Sequence, residues 1–471
     1  MVFSSIPFLF FFLPLCLIMY YAVPYRVKNY VLLAFSLVFY AWGEPVYIVL
    51  MLFASAVDYT NGRMMERFGT NERRRKGFLC LSVVINLSML GFFKYADFVV
   101  ETFNALTGAS LQPLGLGLPV GISFFTFQTM SYSIDLYRRE VEVEKNYFTY
   151  LTYVSMFPQL IAGPIVRFST VDSELHHRKI QWKGFVQGTL RFMQGLFKKV
   201  LIANNVGALW ETIRVMEPGS ASVATAWLGA LCFTLQLYFD FSAYSDMAIG
   251  MGRMLGFHFL ENFNYPLYAV SVTDFWRRWH ISLSTWFRDY VYIPLGGNRV
   301  SVAKHLRNMF VVWFLTGLWH GAAWNFVLWG LYYGVLLTLE KYVWGKMLSR
   351  LPSLIRHLYA VWIVVFGFVI FVFDDMGQLG CYLASLFGAA GNRPFGQEFL
   401  WYVGNYGVLL VSAVLLAFPV YPFLKEKRRQ LPHTGRIVCT AVSMVGYVLA
   451  FVLTTAYLVN DTYNPFLYFR F

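Results

Sequence analysis

Apolar stretches long enough to cross a bilayer recur along this whole sequence of 471 residues, from 7–23 near the start to 437–458 near the end. About 20 apolar helical residues span a hydrocarbon core, and no soluble core requires such runs again and again. Between those two lie candidate spans at 29–42, 45–62, 77–97, 119–137, 185–213, 223–250, 308–321, 324–343, 355–374 and 401–424. Only 13% of residues are charged while 58% are hydrophobic; a soluble domain carries about 25% charged residues. A soluble multi-domain enzyme, the default for this length, is excluded. The expected fold is an all-α polytopic membrane protein of about 12 spans, forming one domain over 1–471 with extra C-terminal spans at 401–458.

The distribution of charge orients these spans. With the N-terminus outside, the loops around 24–28, 63–76, 138–184, 251–307, 341–356 and 425–436 fall inside and hold 31 of the 38 Lys and Arg. The outer loops hold three: Arg214, Arg393 and Arg470. Basic loops stay on the cytoplasmic side, so both termini are expected on the extracytoplasmic side. The net charge of +13 then reflects those loops and not nucleic-acid binding. The opening MVFSSIPFLFFFLPLCLIMYY has no basic leader and no small-residue cleavage site, which reads as a retained first span. The five cysteines are scattered, with no CxxC or Cys/His cluster, so neither a disulfide framework nor a metal site is expected.

The charge count also divides 308–343. Only a hairpin turning near Gly321-Ala322-Ala323 keeps both Lys341–Arg356 and the KEKRR run at 425–429 inside. Its first arm would rise about 20 Å, putting His320 deep in the membrane. Residues 147–166 are apolar but broken by Pro158, Gly163 and Pro164, which suits a re-entrant element; irregular backbone at membrane depth is tolerated where protein or a cavity surrounds it. Residues 275–293 are amphipathic. Trp276, Trp279, Leu283, Trp286 and Tyr290 repeat at helical spacing, with Arg277, His280, Ser284 and Arg288 on another side. A helix lying in the cytoplasmic interface is expected there.

Ionisable residues inside a membrane are costly and by default functional. His320, in TGLWHGAAWNFVLWG, is the foremost of them, against the alternative of a histidine simply bonded to a neighbouring carbonyl. A neutral imidazole accepts a proton from an attacking hydroxyl near pH 7. Gly321 and its two alanines would let a thioester approach, and Trp319, Trp324 and Trp329 would shape the walls or merely pack. His280 stands second, among Arg277, Arg278 and Arg288, whose charges suit the phosphates of a donor or anchor a helix to lipid. Asp240, Asp246, Trp319 and Asn325 are candidates for orienting a histidine or lining a tunnel, with structural hydrogen bonding as the plainer alternative for the aspartates. The other histidines lie in basic loops or near span ends. No phosphate-binding loop, GxSxG elbow or HExxH occurs. No duplicated half is evident, which disfavours common transporter folds.

Several stretches together are recognisable: FPQLIAGPIVR at 157–167, DFSAYSDMAIGMGRMLGF at 240–257, NFNYPL at 262–267, FWRRWHISLSTWFRDYVYIPLGGNR at 275–299, TGLWHGAAWNFVLWG at 316–330 and NPFLYFRF at 464–471. With the opening MVFSS they resemble the bacterial membrane-bound O-acyltransferases, and within them the alginate O-acetyltransferase group. The 275–330 region is the specific part. The resemblance implies a helical bundle around a central funnel, with the catalytic region at 147–343. It maps the family's intramembrane catalytic histidine onto His320 and its second histidine onto His280. It implies acetyl-CoA or another cytoplasmic acyl thioester as donor, no bound cofactor, and an SGNH-type partner outside the membrane that passes the group to a polysaccharide. The related D-alanyl transfer proteins of teichoic acid modification share the two histidines, but the segments after residue 400 look more like the alginate-type group. A transporter or flippase is the rival from another class.

Overall fold

The computed structural model describes residues 2–161, 163–217, 219–460, 463–465 and 467, and among them there are helices, turns and loops but no strand. Arg470 and most of the NPFLYFRF ending lie outside the described residues. The apolar runs become helices close to their expected limits: Lys28–Gly43, Ile48–Arg67, Ile122–Arg138 and Ser353–Val372, among others. The second and third separate at Glu44, whose backbone leaves the helical region (φ −135°, ψ 65°) just before Pro45. A residue preceding proline is pushed out of that region by the proline ring.

Among the described residues, five helices are long and apolar enough to cross a membrane: Glu72–Thr107, Val223–Leu255, Ser353–Val372, Gln397–Ala417 and His433–Asn460. The other expected spans appear as shorter or more polar helices, such as the 16 residues of Trp324–Leu339. Burial separates two kinds of apolar helix. Along His433–Asn460, Val442, Val445, Val448, Leu449 and Val452 are all exposed, as on a helix that lipid would cover. Val223–Leu255 is also apolar, though less so, and is mostly buried, as a helix surrounded by protein is.

The chain forms two compact units, Met1–Phe192 with Ser245–Glu261, and Met193–Tyr244 with Asn262–Phe471. The first is organised around rings and one buried carboxylate. Phe8, Phe12, Phe39 and Phe157 pack together. Asp58, fully buried, accepts from the Ser82 hydroxyl, from Asn86 Nδ2 at 2.7 Å and from Ser133 Oγ at 3.0 Å. The proline-broken segment at 147–166 begins as two short buried helices, Tyr147–Ser155 and Phe157–Leu160, separated at Met156.

In the second unit, Val302–His320 and Trp324–Leu339 form the expected hairpin, with extended backbone at Gly321 and Ala323 between them. Glycine lets the two arms touch. A Cβ on Gly317 would collide with the Phe326 carbonyl, and one on Gly330 with the Trp313 carbonyl. Small residues permit such close crossing of apolar helices.

The expected helix over 275–293 is not continuous. It is Val272–Arg278, then Ile281–Phe287, then a π-helical turn Arg288–Tyr292. The break falls at Trp279 and His280, and His280 has left-handed backbone angles, φ 44° and ψ 55°. The reason lies outside the segment. The Asn264 N–H donates to the Arg278 carbonyl and the Ile281 N–H to the Asn262 carbonyl, both at 2.9 Å. These bonds on either side of His280 hold it in a conformation that costs of order 1–3 kcal/mol.

Candidate active site

The break turns His280 inward. The expectation of an imidazole on a basic face beside Arg277 and Arg288 gives way to one that is 1% exposed. Asn262 fixes its ring. The Asn262 side-chain oxygen accepts from Ser282 N at 3.2 Å, from Ser282 Oγ at 2.9 Å and from His280 Nδ1 at 3.2 Å. An amide oxygen only accepts, so Nδ1 carries the proton and Nε2 keeps its lone pair. That Nε2 is buried and has no hydrogen-bond partner among the described residues. Burial also pushes the pKa of His280 down to about 3, since a low-dielectric setting disfavours the charged ring. His280 is therefore neutral at physiological pH, with one nitrogen anchored and the other without a partner among the described residues.

His320 closes the C-terminal end of Val302–His320 and is 7% exposed. Trp329 and Phe371 meet its ring edge-on, with centroids at 4.9 and 5.2 Å. Trp319 joins the two histidines. Its indole lies 5.8 Å from the His280 ring and 5.1 Å from that of His320. Residues 40 positions apart in the chain thus share one aromatic neighbour. Phe241 adds a further wall, edge-on to His280 at 4.7 Å.

The other expected residues divide. Asn325 is fully buried and donates to the Phe371 carbonyl at 2.9 Å, which ties the hairpin to the helix carrying that ring. Gly321 does not leave room for a ligand, because the Phe326 ring fills the place of its missing side chain. Asp240 pairs with Lys199 at 2.6 Å and accepts from the Leu467 N–H at 2.9 Å. Within the first unit, Asp246 pairs with Arg191 at 2.6 Å, and Arg191 also pairs with Glu261. Neither aspartate orients His280; Asn262 does. Arg278 pairs with Asp274 at 2.9 Å and Arg288 with Asp289 at 2.7 Å, while Arg277 is exposed.

Sequence reasoning missed Asn262, Ser282 and Phe241. Asn262 and Phe241 lie in recognisable stretches, NFNYPL and DFSAYSD, but their partner is 18 and 39 residues away. Only the fold brings them together.

The sequence profile of the membrane-bound O-acyltransferase family matches residues 46–376, well over half of the chain. The chain belongs to the membrane-bound O-acyltransferase family. It is 44% identical over 380 residues to a Pseudomonas aeruginosa protein named "Probable alginate O-acetylase", covering 80% of this chain and 73% of that one. A protein of the same name from Azotobacter vinelandii is 37% identical and covers all of both chains. The peptidoglycan O-acetyltransferase of Helicobacter pylori is 34% identical over 78% of this chain and 75% of its own. The protein is thus a membrane acyltransferase, and its apolar, outward-facing helices fit that family. The transporter alternative falls with this result.

Proposed function

We propose that this protein is an O-acetyltransferase that takes an acetyl group from a cytoplasmic thioester, acetyl-CoA in chemical class, and passes it towards an extracytoplasmic polysaccharide. His320 and His280 form the reaction centre. The observation that carries the reading is their meeting at the Trp319 indole, with an unpartnered Nε2 on His280. In the transfer, the acceptor oxygen attacks the thioester carbonyl. His320, as general base, takes the hydroxyl proton and returns it to the leaving thiolate sulfur. His280 holds the reacting group in place through Nε2. The names of the relatives support acetyl over other acyl groups, and glycans as acceptors. A D-alanyl donor on a carrier protein is the second reading, favoured by a more distant relative, the teichoic acid D-alanyltransferase of Bacillus subtilis.

About 12 spans, with the segment at 147–166 re-entrant, would place both termini outside the plasma membrane and the 275–299 stretch on the donor side. The basic loops support that orientation. Arg277, Arg278 and Arg288 are the donor-side cations; at Arg278 and Arg288 a phosphate would have to displace Asp274 and Asp289. An SGNH-type protein on the far side would receive the group. His320→Ala in purified, folded protein should lower acetyl transfer to a soluble acceptor about 10²–10⁴-fold, the range for a lost general base. Near-normal transfer would remove His320 from this role.

A further inference from the structure

A cavity of about 590 Å³ opens in the second unit beside Arg277, His305, Glu340, Lys341 and Arg356, and its charges do not balance. Glu340 is the lining carboxylate, and each of its oxygens accepts a backbone N–H. Oε2 accepts from Val272 N at 2.8 Å and Oε1 from Thr273 N at 3.0 Å. Among the described residues, none of the three cations pairs with a carboxylate. Arg277 makes no side-chain hydrogen bond or ion pair with any described residue, and the buried Nε of Arg356 has no partner. Lys341 donates to His305 Nε2 at 3.1 Å. His305 in turn meets the hydroxyls of Tyr292 and Tyr342 at 2.9 and 3.0 Å. Burial and the Lys341 charge both push the His305 pKa down, so this ring is a neutral prop for the lysine. Three basic side chains thus line the cavity against one carboxylate.

We propose that this cavity is an anion site for a phosphate ester, held by Arg277, Lys341 and Arg356. Guanidinium groups bind phosphate oxygens through paired N–H donors, and lysine adds a point charge. The identity of the ester rests on the acyltransferase reading: it is the phosphate-bearing end of the thioester donor. Position along the hairpin fits. Met309 and Leu337 line the cavity, and Met309 precedes His320 by 11 residues on one helix, about 16 Å of rise. Between those two levels pack Trp276, Trp313, Trp329 and Tyr333. The thioester end of a long donor anchored at the cavity would pass this aromatic cluster on its way to the histidines. The proposal moves donor recognition away from Arg278 and Arg288, which carry their own aspartates, and onto Lys341 and Arg356.

The same phosphate chemistry is offered by an anionic lipid headgroup, and the experiment separates the two sources. Coenzyme A binding is measured by calorimetry on detergent-purified protein, and phosphatidylglycerol retention by native mass spectrometry. Lys341→Gln and Arg356→Gln should each weaken coenzyme A binding about 10-fold or more, the scale of one charge-assisted hydrogen bond. Lys341→Arg should restore most of it. Arg63→Gln, which removes a surface charge paired with Glu66, should change nothing. Loss of lipid retention with coenzyme A binding intact would keep the phosphate site and overturn its assignment to the donor. Unchanged binding of both probes by folded Gln variants would overturn the site. His320→Ala should bind coenzyme A normally while its transfer falls about 10²–10⁴-fold, so failure of the cavity and failure of the histidine assignment give different results.

Discussion

Each unit buries a polar group that no soluble surface hydrates, and the two are treated in opposite ways. In the first unit Asp58 receives hydrogen bonds on both oxygens, from Ser82, Asn86 and Ser133, and Asn86 is itself held by Thr129 at 3.1 Å. In the second unit His280 is held at Nδ1 alone and its Nε2 is left bare among aromatic rings. A buried polar network satisfied at every member rigidifies a core, whereas an orphaned atom costs about 1–3 kcal/mol. In the proposed reaction, that unpartnered Nε2 is the atom that holds the reacting group.

The comparison breaks if substitutions at the two places have the same effect. His280→Asn retains a donor for Asn262 but removes Nε2. It should leave the folded protein intact and lower acyl transfer about 10²-fold or more. Asp58→Ala should do the reverse. It strands three buried donors, each costing about 1–3 kcal/mol, so thermal stability and yield fall while the rate per folded molecule is retained. A rate loss from Asp58→Ala at unchanged stability would make the first unit part of the chemistry. The smallest effect concerns pH. His280 binds its proton at about 3 when folded and near 6.5 when unfolded. Between those values the unfolded chain holds more protons, so this residue's contribution to stability is complete above about pH 6.5 and is lost as pH falls towards 3. Melting temperature followed over that window should fall less steeply for His280→Asn than for the parent protein.

Much of this was legible in the order of residues. Apolar runs marked the helices, and the charge count chose a hairpin at 308–343 that the structure contains. His320 stood out because it is ionisable in an aromatic, apolar stretch. The break at His280 was not legible, since tryptophans at helical spacing over 275–293 suit an unbroken helix. Backbone bonds from 262–264, distant in sequence, override that local preference. Gly321 misled for a related reason: its small size serves the Phe326 ring of its own hairpin. The partners of Asp240 and Asp246 were equally hidden, because an ion pair such as Lys199–Asp240 leaves no local pattern. Periodicity reports which faces are apolar, but not which polar atom finds a partner across the fold.

The central claim is that His280 and His320 serve one reaction at a shared indole. Its most direct test is the acyl-transfer rate of the double variant His280→Asn/His320→Ala beside each single variant, all at matched folding. Groups acting as a unit give losses that do not multiply. The account predicts a double variant close in rate to the slower single one. Losses that multiply, or a single variant with near-normal transfer, would contradict it.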